Sequence, residues 1–448
     1  MKQENKKPFI YTLSIMGIAA LAVMFARWRI DLTDAPAIER IAALVSVLLF
    51  AAVGLRTVPR WAEFWSEGTE VPAPGRPETQ SRKIFLALLL WDAAILLLAW
   101  PLRRLISGPT TFAESMKAWI SGDGIHYLDI ARDWYLSEGS IDRVVQLVFL
   151  PGYPMAIWLA HLVIRDWTAA ALTVSGLCFA GAGTLLYQLL RLDYDERTAR
   201  RGLTVLLMMP GFFFVPAAMS ESLFLLCCVG CIYLARRGKW GFAGLLGAYA
   251  AFTRSLGITL LVPLVMELVH SLLHNETPKG KRIMACASLL LVPLGFGAYL
   301  LVNQQVAGNP FQFLTYQSEH WHQRFGLFFN TAAYQTEYAL ATVHDNPHNF
   351  YGLWLPNLIA SFAALGLMIV GVGKIRASYS VWFLPYYFIA IGATWLLSAP
   401  RYLLAFFPLS AAMAAMTEKK GARTLLFLLL GILSVLYFLA YLAVWQVW

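Results

Sequence analysis

A carboxylate, an imidazole and a phenol lie close together in one polar segment, at Asp123, His126 and Tyr127. A positioned carboxylate can take a proton from a hydroxyl group, and a nearby histidine can donate or accept a hydrogen bond. The spacing predicts a short helix that begins near Gly124, with Asp123 at its N-cap. His126, Tyr127 and Ile130 would follow on the same face. Asp-Gly is also a common turn pair, so the motif alone is a weak signal for catalysis.

The rest of the chain has the composition of a membrane protein. Its 448 residues are 59% hydrophobic and only 14% charged, and apolar stretches of about 20 residues are long enough to cross a hydrocarbon layer of about 30 Å. The sequence therefore predicts an all-α polytopic membrane protein with about 13 transmembrane helices. The predicted spans are 9–27, 38–57, 84–101, 167–190, 202–218, 221–236, 240–254, 256–273, 283–303, 352–373, 380–397, 402–416 and 424–446.

One further apolar run, 144–164, is not counted because Pro151, Gly152 and Pro154 interrupt its helical hydrogen bonding. If this run does not cross, the inside segments contain 23 of the 35 Lys and Arg residues, and if it does cross they contain 12. The positive-inside rule favours the first arrangement. We therefore expect a cytoplasmic N-terminus, long external segments at 102–166 and 304–351, and a helix at 150–164 in the outer interface.

This topology also explains the net charge of +9, because the basic excess lies on the inner side. A nucleic-acid surface is not expected. The first apolar run follows Lys2, Lys6 and Lys7 and lacks an obvious cleavage site, which predicts a retained helix rather than a signal peptide. All five cysteines fall in predicted spans, where packing is favoured over a metal site at Cys227, Cys228 and Cys231.

The external segment 304–351 is dense in aromatic, histidine and amide side chains, among them Trp321. Such rings anchor proteins at membrane interfaces, and they also stack on sugars, so both interpretations stay open. Pro347 separates His344 from His348, which disfavours a metal site there. Neither external segment reaches the roughly 100 residues that a nucleotide-sugar-binding domain needs.

Four polar residues lie in or beside predicted spans. Asp92 lies mid-span, where an acidic side chain costs roughly 3 kcal/mol, and we expect a hydrogen bond to a neighbouring helix or a role in a lipid or proton path. Glu221 either follows Ser220 as an N-cap or faces the same cavity as Asp123. Arg254 and Arg401 lie at tight outer turns, where they either extend to lipid headgroups or bind a phosphate.

Five short motifs together resemble those of a known family. They are Asp123-Gly-Ile-His126-Tyr127-Leu-Asp-Ile-Ala, Phe149-Leu-Pro-Gly-Tyr-Pro154, Ser220-Glu221-Ser-Leu-Phe, Thr253-Arg254-Ser-Leu-Gly257 and Ser398-Ala-Pro-Arg401-Tyr402. In this order they resemble the PIG-V-type membrane mannosyltransferases, which include the second mannosyltransferase of GPI-anchor assembly and belong to the GT-C fold class. The resemblance covers about 84–410. The chain departs from the family in having Gly122 where Trp is usual and Gly152 where Leu or a similar residue is usual.

The resemblance implies a GT-C transmembrane module at 84–303 with interfacial helices in the loop 102–166, and a variable module at 352–448. Residues 1–83 would be a two-helix extension followed by a cytoplasmic linker at 58–83. The implied activity is transfer of a hexose, with mannose expected, from a polyprenyl-phosphate donor to an acceptor hydroxyl outside the membrane. A glycolipid, a polymer and a protein all remain open as acceptors.

Asp123 is the expected general base, and Arg254 and Arg401 are expected to hold the departing phosphate. The further substrate-binding candidates are His126, Tyr127, Glu221, Tyr402 and Trp321. Glu221 would act either as a supporting partner or as an acceptor contact. No cofactor or metal is expected, because a lipid monophosphate leaving group does not require one. The alternatives are a transporter or lipid flippase, and a GT-C enzyme with another lipid-linked sugar such as a pentose or glucose.

Overall fold

The computed structural model describes residues 6–30, 35–66 and 78–445, together with Val447. These residues form helices and no strand, apart from one isolated β-bridge between Phe325 and Ala393. The prediction of an all-α protein is confirmed.

The helices fall into four consecutive groups. The first comprises α1 Lys6–Ile30, α2 Ala37–Ser66 and α3 Glu78–Ser107, and the second comprises the short helices α4 Phe112–Lys117, α5 Asp123–Asp133, α6 Ile141–Val144 and α7 Gly152–Ile164. The third comprises α8 Trp167–Leu190, α9 Glu196–Met208, α10 Glu221–Arg236, α11 Trp240–Thr253, α12 Leu261–Leu273 and α13 Arg282–Ala307. The fourth comprises α14 Gln312–His320, α15 Phe328–Asp345, α16 Pro347–Asn349, α17 Leu355–Gly371, α18 Ala377–Ile391, α19 Ala399–Leu404, α20 Pro408–Met416 and α21 Lys420–Leu442.

Short tight turns extend or join several of these helices. They are the 3₁₀ turns Val145–Val148, Phe212–Phe214, Ser255–Leu260, Lys279–Lys281 and Val372–Lys374, and the π turn Phe350–Trp354.

The described residues include seven helical stretches that are long and apolar enough to cross a membrane, or eight if one bent pair forms a single span. The chain is thus a multi-pass membrane protein. The number of about 13 spans stays a prediction. Helices α10 and α11 have only 16 and 14 residues, fewer than the roughly 20 that usually cross a bilayer.

The interrupted apolar run 144–164 does not form one straight helix. The segments Ile141–Val148 and Gly152–Ile164 meet at an angle of 110°, with Pro151 at the break. The break that the prolines predict is present, and α7 begins two residues after the predicted start at 150. Its position in the outer interface stays a prediction.

The predicted boundaries of three segments are wrong. The span 202–218 ends early because α9 stops at Met208, before Pro210 and the left-handed Gly211 at φ 90°. The span 380–397 ends at Ile391, and the next helical turn starts at Ala399. Both ends of the predicted linker 58–83 are helical, since α2 reaches Ser66 and α3 begins at Glu78; residues 67–77 lie outside the described residues.

Close backbone contacts hold the central helices together, as is usual for membrane helices that present small residues to one another. A Cβ on Gly295 of α13 would lie 2.0 Å from the carbonyl oxygen of Ala248 in α11. A Cβ on Gly247 of α11 would lie 2.7 Å from a methyl group of Val292 in α13. This contact fixes α11, whose last turn carries Thr253 and Arg254.

Buried ion pairs hold other helices of the bundle together. Arg236 at the end of α10 donates to Asp193 at 2.6 and 2.8 Å, and Arg376 before α18 donates to Glu267 of α12 at 2.6 and 2.8 Å. The Arg376 guanidinium also lies 4.8 Å from the ring centroid of Phe64 in α2. These contacts connect α2, α10, α12 and α18 at one end of the bundle.

The close contact between α11 and α13 predicts unequal effects of two similar substitutions. Gly295→Ala should lower the free energy of unfolding by about 1–3 kcal/mol, because the added methyl group has no room. Gly297→Ala is the matched control, since a Cβ added at this residue would have no neighbouring atom within 4 Å, and helix propensity should make it neutral or stabilising by up to about 1 kcal/mol. Unfolding of both purified variants in mixed micelles measures the difference, and equal stabilities would contradict this packing.

Candidate active site

Helix α5 carries the first motif. Gly122 precedes it with a φ of 54°, a backbone conformation that favours glycine. The prediction that Asp123 is the N-cap is wrong, because Asp123 is the first residue of the helix and Gly122 occupies the cap position. The Asp123 carboxylate instead forms an ion pair with Nη2 of Arg401 at 2.7 Å and keeps 27% of its side-chain surface exposed. It is thus both ion-paired and accessible.

The second and fourth motifs pack directly on each other. A Cβ on Gly152 would lie 2.3 Å from Oγ1 of Thr253 and 2.9 Å from its Cα, so only glycine fits at this position. The hydroxyl of Tyr249 donates to the carbonyl of Gly152 at 2.8 Å. The start of α7 and the end of α11 are held together, and this places Arg254 beside α5.

Two arginines and two carboxylates form one buried cluster. Glu221, at the start of α10, pairs with Nε of Arg401 at 3.1 Å and also with Nη1 of Arg254. Arg401 therefore bridges Glu221 and Asp123. Because formal charges of +2 and −2 balance, the arginines can stay buried without a net charge in a low-dielectric environment.

Aromatic and sulfur groups surround the two guanidinium groups. The Tyr402 ring centroid lies 5.0 Å from the Arg254 guanidinium carbon and 5.5 Å from that of Arg401. Phe214 lies 5.8 Å from Arg401 on another side, and Nη1 of Arg401 donates to the sulfur of Met219 at 3.2 Å. Cation–π contacts of this kind favour the charged form in a partly dehydrated site.

Ser220 and Tyr127 also contact the cluster. Ser220 occupies the N-cap position of α10, as one interpretation predicts, but its side chain makes no capping hydrogen bond. Its hydroxyl accepts from Nη1 of Arg254 at 3.1 Å and forms a hydrogen bond with the hydroxyl of Tyr127 at 3.0 Å. Tyr127 is buried, so its hydroxyl orients Ser220 and Arg254.

A cavity of about 620 Å³ lies over this cluster. Seven of the eight predicted site residues line it: Asp123, His126, Tyr127, Arg254, Arg401, Tyr402 and Trp321. Glu221 is the exception, because it is 2% exposed and lies behind the two arginines. Of the two roles left open for Glu221, the structure favours the supporting partner over the acceptor contact.

The far wall of the cavity comes from α14 and the segments after it. Trp321 approaches His126 with ring centroids 6.2 Å apart, and Gln317 and Gln323 line the same wall. Nε2 of Gln323 donates to the carbonyl of Trp395 at 2.8 Å. Amide groups and tryptophan rings on one wall can bind the hydroxyl groups and apolar faces of a sugar.

Several residues of the site lie outside the predicted set. Gln317 and Gln323 belong to a segment rich in amides and aromatic rings, whereas Trp395 lies in the predicted span 380–397, whose apolar sequence does not indicate a site. Met219 and Gln146 each lie in an apolar stretch of the sequence. The amide of Gln146 within such a stretch is the only sequence feature that could have identified either residue.

The predicted hydrogen bond of Asp92 is not observed. Oδ1 of Asp92 is buried and has no hydrogen-bond partner among the described residues. The side chain faces Gly176 of α8, where an added Cβ would lie 2.7 Å from Oδ2. Asp92 is thus outside the cavity that contains Asp123.

Arg254 has donors to spare for a ligand. Within the described part of the chain only its Nη1 donates to protein groups, and the side chain lines the cavity. A planar guanidinium with free N–H groups binds phosphate oxygens well. The arrangement therefore combines an anion site with an accessible carboxylate.

One relative supports the resemblance. GPI mannosyltransferase 2 of Yarrowia lipolytica (strain CLIB 122 / E 150) is 27% identical over 149 residues, which are 33% of this chain and 40% of that protein. The similarity confirms the resemblance that the five motifs indicate, and the match spans less than half of the relative's length. No family model matches the chain.

Two solved structures show a more distant likeness. One is the archaeal oligosaccharyltransferase AglB from Archaeoglobus fulgidus in complex with an inhibitory peptide and a dolichol-phosphate, at 11% identity and a TM-score of 0.33, covering 78% of this chain and 55% of that chain. The other is the Archaeoglobus fulgidus oligosaccharyltransferase tethered with an acceptor peptide, at 12% identity and a TM-score of 0.32, covering 80% and 55%. At these TM-scores the likeness carries no conclusion about ligand or mechanism.

The buried cluster predicts a large stability effect at Glu221. Glu221→Gln should lower the free energy of unfolding by about 3–5 kcal/mol, because two buried arginines lose a shared counter-charge. Glu196→Gln is the control, since Glu196 pairs with Arg200 on an exposed helix surface, where loss of the pair costs about 0–1 kcal/mol. Detergent unfolding curves compare the variants. Similar losses in both would show that the cluster does not depend on Glu221.

Proposed function

We propose that the chain is an inverting GT-C glycosyltransferase. It moves a hexose, with mannose as the expected sugar, from a polyprenyl-phosphate donor to an acceptor hydroxyl at the outer membrane face. The observation that carries this proposal is the shared cavity: an accessible carboxylate at Asp123 lies beside two arginines, and Arg254 has free donors.

Arg254 and Arg401 are suited to stabilise the leaving group. Charge develops on the phosphate oxygen as the glycosidic bond breaks, and fixed cationic donors stabilise that charge without reorganising. Arg254 offers free N–H groups, whereas Arg401 is already engaged with Asp123 and Glu221. A phosphate that reaches Arg401 competes with Asp123 for the same guanidinium. The donor would then free the carboxylate for its chemical role.

Asp123 acts as the general base. It takes the proton of the acceptor hydroxyl, whose oxygen forms a bond to the anomeric carbon. The bond from that carbon to the phosphate oxygen breaks, and its electron pair leaves with the lipid phosphate. A single displacement of this kind inverts the anomeric centre.

A second cavity supports a lipid-linked donor. It measures about 810 Å³ and is lined almost entirely by apolar side chains of α17, α20 and α21. Pro400 and Leu403 of α19 line this cavity, whereas Arg401 and Tyr402 of the same helix line the polar one. An isoprenoid tail in the apolar cavity would thus lie next to a phosphate held by the arginines.

The proposed sidedness follows from the charge distribution. The cavity would face outward and the N-terminus would be cytoplasmic, because most basic residues then lie inside. An outward site has no ready supply of nucleotide sugar, which agrees with a lipid-linked donor. The acceptor is a hydroxyl-bearing glycolipid, polymer or protein.

Transfer of labelled sugar tests this proposal. The purified protein, given radiolabelled polyprenyl-phosphate mannose and a membrane extract as acceptor source, should form a covalent product. Asp123→Asn keeps the size and shape of the side chain but removes the base, so it should reduce transfer by roughly 100-fold to 10,000-fold. Asp345→Asn is the control, because Asp345 is exposed at the end of α15 and does not line the cavity.

The outcomes separate the competing functions. Translocation of the lipid without any covalent product would support a transporter or flippase. Transfer from a pentose or glucose carrier lipid alone would support a GT-C enzyme with another donor. Full activity of Asp123→Asn would remove Asp123 from the role of base.

We also predict that turnover does not require a divalent metal. The two arginines can donate hydrogen bonds to a leaving lipid monophosphate in place of a metal ion, so excess EDTA should leave the transfer rate unchanged. The measurement compares initial rates with EDTA and with EDTA followed by excess Mg²⁺ or Mn²⁺. Loss of activity in EDTA that either ion restores would contradict the prediction.

A further inference from the structure

Gln146 makes an unexpected contact with the cavity residue His126. Gln146 lies in the turn Val145–Val148 and is 1% exposed. Its Nε2 lies 3.3 Å from Nδ1 of His126 and 3.3 Å from Oδ2 of Asp129. One amide nitrogen therefore serves two partners.

Asp129 determines which way the Gln146 amide points. A carboxylate can only accept hydrogen bonds, so the reversed amide would place Oε1 of Gln146 against Oδ2 of Asp129. In the observed orientation Oε1 is buried without a partner among the described residues. The reversed amide would put its nitrogen in that unpartnered place instead, so it would lose the contact with Asp129 and gain no other from the described residues. The amide nitrogen consequently faces His126 as a donor.

Arg143 holds Asp129 in this position. Its Nη1 lies 3.3 Å from Oδ2 of Asp129, and its Nη2 lies 2.8 Å from Oδ2 of Asp133. The order of contacts is Arg143, Asp129, Gln146 and His126. Each contact fixes the orientation of the next group.

A donor at Nδ1 sets the proton position on the imidazole. Nδ1 of His126 must accept, so the ring is neutral and its proton is on Nε2. Among the described residues Nε2 has no hydrogen-bond partner, and His126 lines the cavity. The ring is held flat against Phe149, with centroids 4.6 Å apart and an interplanar angle of 19°.

We propose that Gln146 is a positioning residue that keeps His126 in the Nε2-protonated neutral form, which donates a hydrogen bond to an oxygen of the lipid-linked sugar. The oxygen belongs to a sugar hydroxyl or to the phosphate. This role rests on the proposed function. It assigns His126 as a donor to substrate and leaves proton abstraction to Asp123.

The electrostatic surroundings agree with a neutral ring. Burial lowers the pKa of His126, while the carboxylates of Asp123, Asp129 and Asp142 raise it and Arg143 lowers it, with burial as the largest effect. The pKa of His126 is therefore lower than its ordinary value, which favours the neutral ring. In the neutral ring Nδ1 carries no proton and can accept the hydrogen bond from Gln146.

Nitrogen NMR tests the proton position without any enzyme assay. The protein labelled with ¹⁵N-histidine in lipid bilayers contains eight histidines, and His126→Asn identifies the His126 signals by their loss. We expect a protonated Nε2 and an unprotonated Nδ1 at pH 7. A protonated Nδ1, alone or together with Nε2, would overturn the proposal. Gln146→Met should give both neutral forms, and an unchanged signal would also overturn it.

Gln146→Glu tests the consequence for turnover. The introduced carboxylate then lies beside that of Asp129, and the two together favour a charged ring between them. It accepts from Nδ1 and raises the pKa of His126, so Nε2 donates only while the ring is charged. The activity of Gln146→Glu divided by that of the parent protein should be near one at a pH below the raised pKa. This ratio should fall about tenfold as the pH rises through that pKa, because one hydrogen bond to the substrate is lost. A ratio that does not change with pH would contradict the assignment.

Gln335→Glu is the matched control for burying a carboxylate. Gln335 is also 1% exposed and donates to the carbonyl of Leu396. The activity of Gln335→Glu relative to the parent protein should therefore not vary with pH. If Gln146→Glu fails to fold, the NMR comparison of Gln146→Met with the parent decides. If the NMR signals of His126 show a protonated Nε2 and an unprotonated Nδ1 but the protein transfers no sugar, only the proposed function is contradicted.

Discussion

The buried guanidinium of Arg401 is the group on which the site depends. It binds Asp123 from α5 and Glu221 from α10, and it is itself carried by α19. These helices are far apart in sequence, and a charged group in this environment is stable only if its partners are in place. The ion pairs thus require the first loop, the central bundle and the C-terminal helices to assemble together.

Packing elsewhere serves the same requirement. The close approach of Gly295 to α11 and of Gly152 to Thr253 places the turn that carries Arg254. Toward the other end of the bundle, the pairs of Arg236 with Asp193 and Arg376 with Glu267 fix the end of α10 and the middle of α12. Position at one end of a helix limits motion at the other. Contacts remote from the cavity therefore hold its walls in place.

Much of the site is predictable because polar residues in an apolar chain are conspicuous. Asp123, Arg254 and Arg401 stand at turns between apolar segments, and the all-α architecture follows from composition.

The inward position of Glu221 does not follow from local sequence. Local sequence indicates that a helix starts there, but it does not indicate which side chains from the end of α11 and from α19 contact Glu221. The helix end at Met208 is not evident from hydropathy either, because the apolar stretch of the sequence continues across Pro210 and Gly211. The contacts of Gln146 are beyond prediction, since they depend on the tertiary placement of Asp129 and His126. Periodicity indicates which residues are buried, and it does not indicate which distant polar groups meet.

A structure of the protein with a non-cleavable phosphonate analogue of polyprenyl-phosphate mannose tests the proposed arrangement of donor and base most directly. We expect the phosphonate within hydrogen-bond distance of Arg254, the anomeric carbon on the side of Asp123, and the isoprenoid tail in the apolar cavity beside α19. A phosphonate bound at the opposite end of the bundle, near Arg236 and Arg376, would contradict it.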